Sequence, residues 1–303
     1  MGFGEMLNHF FNKEQIKDWT SLRKSGYILL PLIIYFIAHD IAEVLLWAVV
    51  NQIMASSKQT AELFTDNAYT VQGIINGLMI LIGVFAIGGA VKSEILHGEK
   101  SVSKGKETAA HPQKVWLSET KVTEYVVVEV FAAAAALALN LWMNMIKLTE
   151  ASEGFKRAAN AQYGVDFLVG LILYGIISPI AEEAVFRGVM YNRMKRCFGI
   201  GWALLISSLL FGCYHGNLVQ AIYGTLLGMA MAYVYEKYES FVAPVLFHSV
   251  ANISVYVMTY HNSLAEFTGI KGILAATILT VVMIICLIYV YKKGTNKEDI
   301  RKI

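Results

Sequence analysis

Charged residues are scarce in this sequence. Asp, Glu, Lys and Arg make up 16% of the 303 residues, against roughly 25% in ordinary globular proteins, and hydrophobic residues make up 56%. Only four prolines are present, and no stretch has the composition of a linker between soluble domains. These shortages argue against two soluble domains, although the length alone would allow them.

Cysteine is also scarce. The chain has three, Cys197, Cys213 and Cys286, with no C-x-x-C pair, so neither a disulfide framework nor a thiolate metal site is expected. The net charge of +2 is small, and no nucleic-acid partner is expected. The first apolar run begins near Gly26 and is too long for the core of a cleavable signal peptide.

Long apolar runs dominate what is present. A helix needs about 20 apolar residues to cross the hydrocarbon core of a bilayer, and strands of a membrane barrel would be shorter and would alternate. Eight runs are long enough: Gly26–Val50, Val71–Val91, Tyr125–Ile146, Phe167–Phe186, Cys197–Tyr214, Leu218–Tyr235, Phe241–Tyr260 and Gly272–Tyr291. The sequence therefore predicts an all-α, polytopic transmembrane bundle of about eight spans, forming a single membrane domain over residues 1–303 in a lipid bilayer.

The distribution of Lys and Arg predicts an orientation. With eight spans, 20 of the 25 Lys and Arg residues fall on the side of the two termini and 5 fall on the other side. The positive-inside rule then places both termini in the cytoplasm, and makes the polar segment 93–121 a cytoplasmic loop. The connection His215–Asn217 is too short to emerge far, so the fifth and sixth spans are expected to turn inside the protein.

Ionisable side chains inside a bilayer are costly and usually mark function or a buried partner. The fourth predicted span contains two adjacent carboxylates, Glu182 and Glu183, shortly after Pro179. Proline lacks a backbone donor, so the groups that it frees need other partners. Arg187 follows Glu183 by four residues and can pair with it on the same helix face, which leaves Glu182 free to face a cavity.

Two histidines and an asparagine are expected to join these carboxylates. Glu182 lies about 15 residues before the turn between spans four and five, and His215 about 15 after it, so an antiparallel hairpin brings both to similar depths. His248 and Asn252 lie one helical turn apart and share a face. A carboxylate beside a histidine can deprotonate water, and His and Asn can stabilise an oxyanion. In an alternative interpretation Glu182, His215 and His248 bind zinc, although no H-E-x-x-H motif is present.

The first predicted span contains a second polar group, His39, Asp40 and Glu43. It could form a proton relay, a wall of the active cavity or hydrogen bonds between helices. Hydrogen bonding within the bundle is favoured over the other interpretations. An ion or proton transporter would use these residues, but that function would leave the residues around Glu182 unexplained.

Three short motifs resemble those of the CPBP family, which includes type II CAAX prenyl endopeptidases and bacteriocin-processing and self-immunity proteins. They are Glu182-Glu183-x-x-x-Arg187, Phe211-x-x-x-His215 and His248-x-x-x-Asn252, and they occur in the family's order. The resemblance covers roughly residues 164–260 and identifies this stretch as a motif-bearing catalytic core.

The resemblance implies a membrane-embedded endopeptidase that cuts a peptide or protein near the cytoplasmic face. It implies Glu182 as general base with His215, and His248 with Asn252 as the oxyanion hole. Glu183, Arg187 and Phe211 would support the site. No cofactor is favoured, with zinc as the alternative. A second hypothesis is a non-catalytic bacteriocin-immunity or regulatory protein that binds a peptide or a sensor.

Overall fold

The structure confirms an all-α fold. The computed structural model describes Ile16, residues 19–95 and residues 122–300. Within these residues the main helices are α1 Ser21–Ser56, α2 Lys58–Asp66, α3 Ala68–Ala86, α4 Gly88–Ile95, α5 Val122–Met145, α6 Leu148–Ala151, α7 Glu153–Tyr163, α8 Phe167–Phe198, α9 Ile200–Tyr214, α10 Leu218–Tyr238, α11 Val242–Tyr260 and α12 Gly269–Ile300. Most of the predicted cytoplasmic loop, from residue 96 to residue 121, lies outside the described residues.

Seven of the described helices are long and apolar enough to cross a membrane: α1, α3, α5, α8, α10, α11 and α12. The remaining predicted span, Cys197–Tyr214, is shorter than expected. Cys197 still belongs to α8, and Gly199, with a φ of 82°, separates α8 from α9. The 15 residues of α9 extend about 22 Å, which is less than the roughly 30 Å of a hydrocarbon core.

Helices α9 and α10 form a tight hairpin, but the described part of the chain does not enclose its turn, since Gly216 is exposed. Gly216 has a φ of 72°, which favours glycine, and the Asn217 side chain caps α10 by accepting a hydrogen bond from the Gln220 amide at 3.0 Å. A Cβ on Gly212 would lie 2.3 Å from the Ala221 carbonyl oxygen. The absence of side chains at such positions allows the two helices to approach closely. Asn217 in turn lies against Gly154 of α7.

Ionic contacts gather at one end of the bundle, here called the basic end. Glu94 of α4 is buried there and accepts hydrogen bonds from Arg193 at 3.0 Å and from Arg196 at 2.6 Å, both on α8. Arg193 also donates to the Tyr27 carbonyl of α1 at 2.6 Å. These contacts bring together three of the segments that the Lys and Arg distribution assigns to one side. The orientation of that side in a membrane stays a prediction.

The central helix α5 allows close packing through small side chains. Ala132, Ala135 and Ala136 are at most 2% exposed, and α5 packs against α11 and α12. This packing fixes the position of α11, which bears His248 and Asn252.

Candidate active site

Glu182 and Glu183 lie at the centre of α8, between two π-helical stretches. The first stretch is Leu173–Ile177 and the second is Ala184–Tyr191. Glu182 is 8% exposed and Glu183 is fully buried. Insertions of π-helix shift the facing of residues along a helix and recur at functional sites. Here they set how the two carboxylates face their neighbouring helices.

Pro179 explains the position of Asn252. In the π-helical register the amide of Ser178 bonds to the carbonyl of Leu173, so the next such bond would run from residue 179 to Tyr174. Proline has no N–H to make it. The side-chain amide of Asn252 instead donates to the Tyr174 carbonyl at 2.9 Å. The predicted need for another partner is thus met by a motif residue from α11, which keeps one more N–H available for the cavity.

The ion pair predicted between Glu183 and Arg187 is present. Arg187 Nη1 lies 2.7 Å from Glu183 Oε1, and neither side chain is exposed. Arg187 Nη2 donates to the Gly228 carbonyl at 3.0 Å, and the guanidinium lies 4.5 Å from the centre of the Phe211 ring. A side chain on Gly228 would press on this guanidinium. The ion pair therefore links α8 to α10 at Gly228, where a small residue is needed, and to α9 at the aromatic ring of Phe211.

His248 contacts both carboxylates. Its Nδ1 lies 2.9 Å from Glu183 Oε1, and its Nε2 lies 3.9 Å from Glu182 Oε2. A carboxylate can only accept, so Nδ1 carries the proton and Nε2 faces Glu182. Sequence reasoning missed the contact between Glu183 and His248. The two residues lie on different helices, and no spacing in the sequence relates them.

His215 is oriented by the main chain. Its Nδ1 lies 2.9 Å from the Phe211 carbonyl oxygen, which can only accept, so Nδ1–H donates and Nε2 remains for other contacts. The prediction placed His215 beside Glu182. The structure places both on the same cavity, but the imidazole that approaches Glu182 to 3.9 Å is that of His248. The matched depths of Glu182 and His215 therefore correctly predicted that both residues line one cavity. They did not predict that His248 is the histidine closer to Glu182.

The motif side chains line one cavity of about 270 Å³. Glu182, His215, His248 and Asn252 all contribute to it, together with uncharged side chains from α3, α5, α7 and α10. Glu182 Oε2 is buried and receives no hydrogen bond from any described residue. A buried carboxylate oxygen without a donor is costly unless water or a ligand fills the need. The cavity therefore contains an unsatisfied carboxylate oxygen next to the Nε2 of His248.

The alternative interpretation assigns zinc to Glu182, His215 and His248. Within the described ranges, no three side chains of His, Cys, Asp or Glu are arranged as metal ligands. Glu182 and His248 are close, and the Nδ1 of each histidine is engaged, with Glu183 or with Phe211, so Nε2 is the atom of each that could bind a metal.

His39, Asp40 and Glu43 are not part of the cavity wall. His39 Nδ1 lies 3.0 Å from Asp40 Oδ1, and the Asp40 side chain is 71% exposed. None of the three lines the cavity formed by the described residues, so the structure does not support their interpretation as a wall of the active cavity.

Comparisons with known proteins agree with the motifs. Residues 164–254 match the family described as "Type II CAAX prenyl endopeptidase Rce1-like". The motif-bearing region is therefore similar to type II CAAX prenyl endopeptidases. This confirms the family predicted from the three motifs. The match covers roughly a third of the chain and includes all of Glu182, His215, His248 and Asn252.

Two curated relatives are similar over the same part of the chain. One is the "Putative membrane peptidase YdiL" of Bacillus subtilis (strain 168), 30% identical over 88 residues, which are 29% of this chain and 36% of that protein. The other is an "Uncharacterized 24.3 kDa protein" of Escherichia coli, 32% identical over 91 residues, which are 28% of this chain and 42% of that protein. The chain thus matches less than half the length of each relative. No solved structure matches it significantly.

Proposed function

We propose that this protein is a membrane-embedded endopeptidase in which Glu182 activates a water molecule. The observation that carries the proposal is the unsatisfied Oε2 of Glu182, buried beside His248 in a cavity that also holds His215 and Asn252. The resemblance of residues 164–254 to prenyl endopeptidases supports the reaction class.

Water is the nucleophile in this mechanism. A water molecule within hydrogen-bond distance of Glu182 Oε2 and His248 Nε2 would be oriented by both. Glu182 takes one proton while the water oxygen attacks the carbonyl carbon of the scissile bond. The resulting tetrahedral intermediate carries its negative charge on the former carbonyl oxygen. Glu182 then passes the proton to the amide nitrogen, the C–N bond breaks, and the products are a carboxylic acid and an amine.

The oxyanion needs donors, and two side chains are suited to that role. Asn252 has a second N–H beyond the one that it donates to Tyr174. His215, in its protonated form, can donate from Nε2. This assignment keeps the roles of Glu182 and Asn252 that the resemblance implies and exchanges those of the two histidines. The exchange follows from the 3.9 Å between His248 and Glu182.

Glu183 and Arg187 position the site without touching substrate. Glu183 holds the imidazole of His248 through Nδ1, and Arg187 balances the charge of Glu183. A carboxylate that orients a histidine and fixes its tautomer is a common supporting arrangement.

The test compares peptide products in cells that carry one variant at a time. Glu182→Gln keeps the shape of the side chain but cannot take a proton, and new protein N-termini that depend on the wild-type protein should disappear. The matched control is Glu62→Gln in α2, whose side chain is 64% exposed and lies outside the cavity. It should leave those termini unchanged. Equal termini in Glu182→Gln and wild type would remove Glu182 as the base.

Two further arms separate the alternatives. The N-termini should still form when membranes are treated with a zinc chelator, whereas loss that added zinc restores would indicate metal catalysis by Glu182, His215 and His248. If His215→Ala restores the phenotype of a deletion strain without producing new N-termini, binding of a peptide or sensor is the function instead.

A further inference from the structure

The cavity is displaced toward the end of the bundle opposite to the basic end. On α8 it is lined in the first part of the helix, by Tyr174, and on α11 near the end, by Tyr256, whereas on α3 it is lined around the middle, by Asn76. Helix α7 contacts all three of these helices. Phe155 and Gln162 of α7 also line the cavity, so α7 forms its outer wall.

The direction toward the basic end is closed. All residues of α8 from Glu183 to Tyr191 are buried. Arg187, Met190 and Tyr191 have no measurable exposure, and Phe247 of α11 packs into the same layer without exposure. Within the described part of the chain, this layer separates the catalytic carboxylate from Arg193 and Glu94 at the basic end.

The outer part of the cavity has few charges. Among the described lining residues, Glu182 is the one carboxylate, and neither Lys nor Arg occurs. Four carboxamide side chains line it instead: Asn76, Asn140, Gln162 and Gln220. The oxygens of Asn140 and Gln220 already accept from Asn144 and Asn217. The N–H groups of the carboxamides can donate to the C=O groups of an extended main chain. Within the described part of the lining, a cationic headgroup would find no carboxylate other than Glu182, and an anionic headgroup would find neither Lys nor Arg.

The side of the membrane follows from the charges. The segments that the eight-span prediction assigns to one side hold 20 of the 25 Lys and Arg residues, and such segments stay in the cytoplasm. Described residues in or beside three of these segments, among them Tyr27, Glu94 and Arg193, meet at the basic end. A cavity displaced toward the other end would then lie nearer the extracytoplasmic side. The family resemblance implies instead a site near the cytoplasmic face. A cytoplasmic basic end and a cytoplasmic active site cannot both hold for this arrangement of helices, because the cavity lies toward the opposite end.

We propose that the cavity takes its substrate from the extracytoplasmic side, and that the substrate is an uncharged stretch of a membrane-inserted or exported polypeptide whose main chain pairs with the carboxamides. The proposal rests on the proposed peptidase function for what happens to the substrate. The direction of entry does not depend on catalysis, so the two can fail separately.

The direction is tested by labelling single cysteines. In a full-length variant that lacks Cys197, Cys213 and Cys286, Gln162→Cys is compared with Glu62→Cys in α2 and with Lys237→Cys near the basic end. A membrane-impermeant sulfonated maleimide is added to right-side-out or to inside-out membrane vesicles. We expect Gln162→Cys and Glu62→Cys to be labelled in right-side-out vesicles, and Lys237→Cys in inside-out vesicles. Labelling of Gln162→Cys in inside-out vesicles alone would overturn the proposal.

The class of substrate is tested by photocrosslinking in the inactive Glu182→Gln background. A photoreactive amino acid replaces Gln162, and the matched control replaces Lys237 in the same background. The crosslinked peptides from the Gln162 position should map to extracytoplasmic or membrane-inserted segments and be absent at the control position. Peptides from cytosolic proteins at the Gln162 position would overturn the proposed class, even if Glu182 proves to be the catalytic base.

Discussion

The adjacent carboxylates Glu182 and Glu183 should respond in opposite ways to the same substitution. Glu183→Gln removes a charge whose partner, Arg187, is completely buried. An uncompensated buried charge costs roughly 3–5 kcal/mol, so the free energy of unfolding should fall by about that amount. Glu182 receives no hydrogen bond at Oε2 from a described residue, so Glu182→Gln should leave stability unchanged or raise it slightly while activity disappears.

The assay is equilibrium unfolding in mixed detergent micelles, followed by tryptophan fluorescence, together with the count of new N-termini in cells. Glutamine at position 183 keeps a carbonyl oxygen for His248 Nδ1, so lost charge rather than lost orientation is measured. The double variant Glu183→Gln/Arg187→Met removes both charges and should recover most of the stability. The reasoning is refuted if Glu182→Gln destabilises the protein as much as Glu183→Gln does.

Two other predictions concern packing and the oxyanion. Asn252→Ala should lower turnover by about 10²–10³-fold, as loss of one oxyanion donor does, and should also destabilise the protein because Tyr174 loses its donor. Adding Pro179→Ala supplies a backbone N–H for the Tyr174 carbonyl, so it should restore stability but not turnover. Recovery of both would contradict the catalytic role of Asn252. Gly212→Ala should lower the free energy of unfolding by about 1–3 kcal/mol, since its Cβ would meet Ala221 at 2.3 Å, whereas Gly201→Ala, with open space, should not.

Relations within one helix were predictable because the helical repeat fixes them. Glu183 and Arg187 are four residues apart and form the predicted ion pair, and the missing donor of Pro179 correctly indicated a carbonyl in need of a partner. Apolar composition likewise determined a helical membrane protein, since a chain in hydrocarbon must satisfy its backbone internally. The three motifs also indicated the family that residues 164–254 resemble.

Relations between helices were decided by the tertiary structure. The approach of His248, rather than His215, to Glu182 depends on how far each helix is rotated and shifted. The π-helical stretches of α8 and close contacts such as that of Gly212 set those rotations, and no sequence period encodes them. The end toward which the cavity extends depends in turn on the placement of α7. The sequence therefore determined which residues line the same cavity. The packing of the helices decided which of these side chains are in contact and toward which end of the bundle the cavity lies.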